Sequence, residues 1–242
     1  MADRSPMAAL LLSSCVVVFW WATLQAATAD TRSAASVVII DGRRVDGETV
    51  HEEVLRQRRS LPLFDAVRIR DFPGTIEIVR GKVPEVMLTA GSTVLPKIGT
   101  VVRGKTLEIF ARESYTTSVD LLLRVMAPVP LASIEYSGSG DLIAEGLTGP
   151  SLSISLSGAG SMRLHGSVRN LDLQLGGSGS MDLRGLEARD CRLMMQGAGD
   201  VRLTTLHSLR GTVQGAGSVV YFGHPKELDL QVGGAADVSA GD

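Results

Sequence analysis

The chain is poor in cysteine, in aromatic residues and in net charge. Its 242 residues include 2 cysteines, Cys15 and Cys191, 4% aromatic residues and a formal net charge of −2. Because Cys15 lies in a segment that we expect to be removed, Cys191 remains alone and an internal disulfide is excluded. A near-neutral surface cannot neutralise many phosphates, so nucleic acid is excluded as a partner.

Long apolar runs are also missing, except near the N terminus. Residues 8–21 are mostly apolar and follow a short polar start that contains Arg4, and Ala27-Thr-Ala29 forms a small-x-small cleavage site. The pattern predicts a signal peptide over residues 1–29 and an exported chain, periplasmic or associated with the cell envelope. Two alternatives stay open: a retained anchor, for which the run is short, and lipidation at Cys15 after Leu12-Ser-Ser.

Three segments follow the predicted signal peptide. Residues 30–60 combine turn signals with a stretch of helix-forming composition at 48–59, and we interpret them as a flexible leader. Residues 61–131 show alternating apolar positions separated by glycines, which indicates strands. Residues 132–242 carry the repeats described next, and 61–131 are expected to be an irregular start of the same domain or a cap upon it.

A glycine motif recurs six times between residues 138 and 236. Its first glycines lie at 138, 158, 177, 197, 215 and 234, so the spacing is 20, 19, 20, 18 and 19 residues. A fixed short period of this kind is typical of a solenoid, in which each repeat stacks on its neighbours. The sequence predicts an all-β, single-chain parallel β-helix with coils of about 19 residues and a less regular β-rich N-terminal half.

Alignment on the first glycine sorts the repeats into inward and outward columns. The column six residues before the glycine is predicted to face inward and contains Ala132, Leu152, Leu171, Cys191, Leu209 and Leu228. The column five residues before it is predicted to face solvent and contains Ser133, Ser153, Asp172, Arg192, Arg210 and Asp229. Each coil is therefore expected to have two strands, with the glycine motif turning the corner between them.

The corner glycines are expected to be needed for positive φ or for close approach of stacked chains. Replacement of Gly179, in the middle of the stack, should therefore be destabilising. Gly241, after the last repeat, is expected to tolerate alanine.

These residues resemble those of the head GIN domain family of bacterial envelope proteins, described as auto-transporter adhesins. The resemblance covers residues 61–242 and includes Phe64-Asp-Ala-Val-Arg-Ile69, residues 100–109, the Ser-Gly-Ser-Gly units and Val220-Tyr-Phe-Gly-His-Pro225. It implies a parallel β-solenoid of unknown biochemical activity, and it supplies no catalytic residues.

No catalytic, cofactor-binding or metal-binding residues are predicted. The most prominent polar column lies three residues after each first glycine and contains Asp141, Ser161, Ser180, Asp200, Ser218 and Asp237. With coils about 4.8 Å apart, Asp141 and Asp200 lie too far apart to share one cation, so we interpret the column as turn residues that satisfy local backbone amides. Cys191 is interpreted as a buried thiol, and His165, His207 and His224 as residues that pair with neither a nucleophile nor a metal-ligand set.

The sequence therefore favours a secreted, non-enzymatic envelope module with a structural or adhesin-like binding role. Its expected partner is an envelope protein or a glycan, and the last coil, residues 228–240, offers an edge for self-association. Two alternatives stay open: a carbohydrate-active enzyme on the same scaffold, and an envelope signalling protein that docks another protein.

Overall fold

The computed structural model of the protein describes residues 39–40, 43–44 and 53–242. The predicted signal peptide, the alternatives at Cys15 and most of the predicted leader lie outside these residues. The strands are β1 (Ile39–Ile40), β2 (Arg43–Arg44), β3 (Val54–Ser60), β4 (Ala66–Arg70), β5 (Thr75–Arg80), β6 (Glu85–Gly91), β7 (Ile98–Arg103), β8 (Thr106–Ala111), β9 (Leu122–Ala127), β10 (Ser133–Gly138), β11 (Asp141–Gly158), β12 (Ser161–Gly177), β13 (Ser180–Gly197), β14 (Asp200–Gly215), β15 (Ser218–Phe222), β16 (Glu227–Gly234) and β17 (Asp237–Ala240). One 3₁₀ turn, Leu95–Lys97, precedes β7. Within residues 53–242 no helix is long and apolar enough to cross a membrane.

The repeats form a parallel β-solenoid, as predicted. The six first glycines stand beside one another in register, since Gly138 pairs with Gly158 and the later glycines continue the column to Gly234. Each glycine corner joins a first face, made of the strand segments before the glycine, to a second face, made of those after it. Alternate residues on both faces enter the interior; on the first face Ile154, Leu173 and Leu193 are at most 1% exposed.

Each coil has more pairing than the two strands that the sequence predicts. Residues 147–149 pair with 166–168, and these pair with 186–188, after a register shift on the far side of the coil. Leu147, Val168, Leu186 and Ala188 are buried there. The chain therefore bends within the long strands β11 to β14, and a short third run of parallel pairing closes the interior.

Two further layers of the solenoid come from the N-terminal half, but not in chain order. Strands β4 and β5 pair in parallel with β10 and β11 and form the layer next to the repeats. Strands β8 and β9 pair in parallel with the outer sides of β4 and β5. The chain then passes from β9 back across the β4–β5 layer to begin β10.

Antiparallel strands cover the N-terminal end of the stack. Strand β7 pairs with β8, strand β6 pairs with β9, and β3 pairs with β6. Arg59 on β3 donates hydrogen bonds to the carbonyl oxygens of Ile98 at 2.7 Å and Leu95 at 3.3 Å, and to Thr100 Oγ1 at 3.1 Å. Residues 61–131 thus supply two solenoid layers, and together with β3 they also cover the end of the stack.

The interpretation of residues 30–60 as a leader with helical composition is wrong for its last part. Residues 54–60 form strand β3, since the backbone of β6 offers a free edge and Arg59 reaches the carbonyls at the end of the stack. Helix-forming composition is a weak preference that such tertiary pairing overrides.

In the column six residues before the glycine, two inward predictions fail. Ala132 is exposed because the chain enters β10 one residue later, and Leu131 takes the buried place. Leu228 is 50% exposed because no further coil covers β16 in the described chain.

The glycine corners are crowded by the carbonyl oxygens of the neighbouring coil. The φ angle of Gly177 is 138°, and a Cβ there would lie 2.4 Å from the oxygen of Gly158. Gly179 is not in the left-handed region, but its Cβ would lie 2.5 Å from the oxygen of Gly160, so close approach alone requires it. At Gly241 a Cβ would lie 2.3 Å from the ring of Phe222, a partly exposed side chain that would have to shift, so the expected tolerance stays a prediction.

Candidate functional site

The corners change in length toward the N-terminal end of the stack. In register, Arg70 lies beside both Ser137 and Phe110, while Thr75 lies beside both Asp141 and Leu122. The same gap is therefore spanned by residues 138–140 in the first repeat, by residues 71–74 in the layer outside it, and by residues 111–121 in the outermost parallel layer. Loops that exceed what the connection needs are where binding residues concentrate.

A groove lies where these three corners meet. We call it the corner groove; its volume is about 910 Å³. It is lined by Asp71, Phe72, Pro73, Ala111, Glu113, Ser114, Tyr115, Gly138, Ser139, Ser157 and Gly158. Its floor is thus built from glycine corners, while its wall is the long loop.

Tyr136 fixes the floor of the corner groove. Its hydroxyl donates to the carbonyl oxygen of Phe72 at 2.8 Å and accepts from the backbone N–H of Gly140 at 2.6 Å. Burial raises the pKa of Tyr136 to about 12. Because this hydroxyl is satisfied on both sides, the corners of two layers are held in one arrangement.

Asp71 lies in the corner formed by residues 71–74. Its φ is 54°, and it is the one non-glycine residue with positive φ among the described residues. Its backbone N–H donates to the carbonyl oxygen of Ser137 at 2.8 Å. Aspartate is among the few residues that adopt this conformation readily, and here the turn leaves the carboxylate exposed at the groove.

Tyr115 stands in the wall. Its hydroxyl oxygen is buried and has no hydrogen-bond partner within the described residues. Burial, followed by the negative charge of Asp71, raises the pKa of Tyr115. A buried polar atom without a partner is uncommon and costs stability, so it calls for an explanation.

The base of the loop is anchored to the end of the 3₁₀ turn. The backbone N–H of Arg112 donates to the carbonyl oxygen of Lys97 at 2.8 Å, and Glu113 pairs with the Lys97 ammonium at 3.5 Å. The wall of the groove is therefore tied to the cap of the solenoid as well as to β8 and β9.

The aspartate and serine column forms the predicted line along the second face. Asp141 accepts a hydrogen bond from Ser161 Oγ, and Asp200 accepts one from Ser218 Oγ at 2.5 Å. The partners belong to the next coil, whereas the sequence analysis expected local backbone amides. The column therefore links neighbouring coils by hydrogen bonds. Among residues 53–242 no group of three or more side chains is placed to hold a metal ion.

A cluster of Asp190, His207 and Ser208 was missed by the sequence analysis. Ser208 Oγ donates to Asp190 Oδ1 at 2.7 Å, and His207 Nδ1 lies 2.8 Å from the same oxygen. These bonds hold the pKa of Asp190 below its ordinary value. Extending the alignment to seven residues before the glycine would have placed Asp190 beside Ser208.

This cluster lacks the arrangement of a hydrolytic triad. In a triad the serine hydroxyl donates to the histidine that activates it, but Ser208 donates to the carboxylate instead. The cluster is better understood as a bond between neighbouring coils.

Cys191 is buried, as predicted, and burial raises the pKa of its thiol to about 12.

The architecture and a family comparison agree. The family described as "Putative auto-transporter adhesin, head GIN domain" matches residues 64–225. The chain belongs to the head GIN domain family. The matched range runs from the first buried residue before β4 to the turn before β16, so it includes the corner groove of this head GIN domain.

Solved structures show the same fold. A protein from Bacteroides fragilis NCTC 9343, described as a putative adhesin, is 19% identical with a TM-score of 0.65, over 77% of this chain and 96% of its own. A protein from Parabacteroides distasonis ATCC 8503, described as a putative lipid binding protein, is 17% identical with a TM-score of 0.51, over 78% and 97%. No curated protein matches the chain. At these identities the likeness concerns the fold alone.

Proposed function

We propose that this head GIN domain protein is an exported, non-enzymatic module of the cell envelope that binds its target through the corner groove. The main observation behind this proposal is the enlarged corner at residues 111–121, because stacking of the coils does not require a loop of that length. Asp71, Glu113 and Tyr115 line the groove at that corner. The adhesin description of the family supports a binding role.

Export is supported by the N-terminal sequence. The apolar run over residues 8–21 and the Ala27-Thr-Ala29 site favour cleavage before Asp30. N-terminal sequencing of the protein after cell fractionation tests this: we expect a chain that starts at Asp30 in the periplasmic or envelope fraction. A chain that starts at Met1 in the cytoplasm, or at a lipidated Cys15, would contradict it.

Self-association is a second proposal, favoured by the exposed edge of the last described coil. On β16, Leu228 is 50% exposed and Val232 is 49% exposed, beside the acidic residues Glu227 and Asp229. At the opposite end of the stack, β3 carries the exposed Arg56 and Arg58; Arg58 also pairs with Glu85 at 3.7 Å, and Glu227 pairs with Arg210. We infer that the occupant of the β16 edge is the β3 end of a second copy, because these two ends carry opposite charge.

A further inference from the structure

We propose that the side of the solenoid opposite the glycine corners rests on an anionic lipid surface, so that the corner groove faces away from the membrane. We call this side the far edge. It comprises residues 61–65, 80–84, 103–105 and 128–131 of the N-terminal half and residues 145–151, 165–170, 184–190, 204–208 and 223–227 of the coils. The inference goes beyond the proposed function, because it concerns a second surface and a different kind of partner.

The far edge is one continuous surface. Arg80 and Pro130 of the N-terminal turns line a small cavity together with Gly146 of the first coil. The third run of parallel pairing continues the edge from there, through residues 186–188, to residues 204–205. The edge therefore follows the stack from its cap to its last coils.

Three large apolar side chains project from the far edge. Leu63 is 62% exposed, Val83 is 58% exposed and Leu206 is 52% exposed. Single exposed apolar residues are ordinary, but Leu206 is placed on the surface by a β-bulge, since residues 205–208 of β14 face residues 188–190 of β13. Contact through all three side chains lays the long axis of the solenoid along the membrane.

The far edge is basic, whereas the glycine corners are acidic. With histidine neutral, the far edge has eight basic and five acidic side chains, a net charge of +3. The corners, counted with one flanking residue on each side, have two basic and six acidic side chains, a net charge of −4. An anionic surface therefore attracts the far edge and repels the corners.

Half of the basic side chains on the far edge form no ion pair within residues 53–242. These four are exposed, and they are Arg80, Lys82, Arg169 and Lys226. The acidic residues left unpaired there are Glu145 and Glu187. Lipid phosphates can pair with the four cations without first breaking an ion pair of the protein.

The combination of free cations and apolar side chains selects a bilayer over a soluble polyanion. An acidic polysaccharide offers charge but no apolar phase for Leu63, Val83 and Leu206. An anionic membrane offers both, because its phosphates lie directly above acyl chains.

Co-sedimentation of the purified exported protein with vesicles tests the inference. Vesicles of phosphatidylcholine with about 30% phosphatidylglycerol should bind the protein, and vesicles of phosphatidylcholine alone should not. About 0.5 M sodium chloride should release it, because the charges are then screened. Sedimentation with envelopes at that salt therefore reports the corner groove alone, so the two surfaces are tested independently.

Two variants have matched controls. Leu206→Ser should lower the affinity for anionic vesicles by about tenfold, whereas Met194→Ser, at an exposed apolar residue of the first face, should not change it. Arg169→Gln should lower the affinity by about fivefold, whereas Arg202→Gln, at an exposed position on the second face, should not. All four side chains are exposed, so the melting temperature should shift by less than about 2 °C.

An environment-sensitive dye reports the orientation on the membrane. On Val83→Cys its emission should move to shorter wavelength with anionic vesicles, because the dye enters the apolar region. On Ser139→Cys, at the corner groove, the emission should not move. Cys191 is buried and does not compete for the dye in the folded protein.

Three results would overturn the inference. These are no binding to anionic vesicles, undiminished vesicle affinity in Leu206→Ser, or an emission shift at Ser139→Cys without one at Val83→Cys. If heparin binds while Leu206→Ser keeps its vesicle affinity, the far edge binds a soluble polyanion and the assignment to a lipid surface is wrong.

Discussion

Gly176 and Gly177 are adjacent in the chain but differ in their tolerance for a side chain. A Cβ on Gly176 would meet nothing within 4 Å, whereas a Cβ on Gly177 would lie 2.4 Å from the oxygen of Gly158. The φ of Gly177 is also 138°, a region that L-residues rarely adopt. Glycine is therefore required at the corner position Gly177, whereas the neighbouring Gly176 has room for a side chain.

We expect Gly177→Ala to destabilise the protein by about 3 kcal/mol. Gly176→Ala, its matched control, should change the free energy of unfolding by less than about 0.5 kcal/mol. Urea denaturation followed by circular dichroism measures both. Equal midpoints for the two variants would show that the corner does not need the left-handed glycine.

Cys191 should be chemically silent in the folded protein. It is 3% exposed, and burial raises its pKa to about 12, so almost no thiolate exists at neutral pH. We expect labelling by iodoacetamide at pH 8 to be at least about a hundredfold slower in buffer than in denaturant. Peptide mapping distinguishes Cys191 from Cys15, and rapid labelling of native Cys191 would contradict its place in the interior.

At the scale of strands, the repeats were predictable because one feature recurs in each of them. The register that the glycine spacing predicts is the observed one, including the pairing of Asp172 with Arg192 and of Arg210 with Asp229. Side-chain partners were less predictable: Arg210 forms its ion pair with Glu227. A long side chain such as that of Arg210 can reach ion-pair partners at several positions on the neighbouring strand, whereas the backbone register is set by the corners.

The N-terminal layers were not predictable in the same way. Alternation identified strands at Val67, Ile76, Leu88, Leu107 and Leu123, and all five are buried in strands. Their spatial order could not be inferred, because β8 and β9 lie outside β4 and β5 although they follow them in the chain. No repeated motif marks these layers, and alternation carries no information about which strand neighbours which.

The corner groove was missed for the same reason. Residues 112–120 are mostly polar and show no period, so they suggest only a connection. Their relation to Asp71 appears when Arg70 and Phe110 are placed side by side, which requires the layer order. A sequence signal did exist in part: the interval without apolar alternation between Ile109 and Val119 is longer than a tight corner needs.

At the scale of the whole molecule, the two ends of the stack differ in chemistry. Arg59 satisfies carbonyl oxygens at the N-terminal end, whereas the last described coil leaves Leu228 and Val232 exposed. Such a difference favours contact between unlike ends over contact between like ends. Head-to-tail contact of this kind is heterologous and produces chains of copies unless it closes into a ring.

Light scattering tests this association. We expect the exported protein to form oligomers that dissociate in high salt, because the opposite charges are then screened. Val232→Lys should reduce the oligomer, since the new charge would be buried in the contact. Gln231→Lys, which adds the same charge at the neighbouring position on the outer face, should have a smaller effect. A wild-type protein that stays monomeric at high concentration would contradict the proposal.

The central claim is that the solenoid is a scaffold for a binding site at the corner groove. Shortening the loop at residues 111–121 tests this claim most directly. Ala111 and Leu121 flank the position that residues 72–73 occupy in the adjacent layer, so Asn-Gly can replace residues 112–120 without breaking β8 or β9. Sedimentation with isolated cell envelopes measures binding, and thermal unfolding reports the fold. We predict that the shortened protein stays folded but no longer sediments with envelopes, whereas the wild type does. Equal sedimentation of the two folded proteins would contradict the assignment of function to the corner groove.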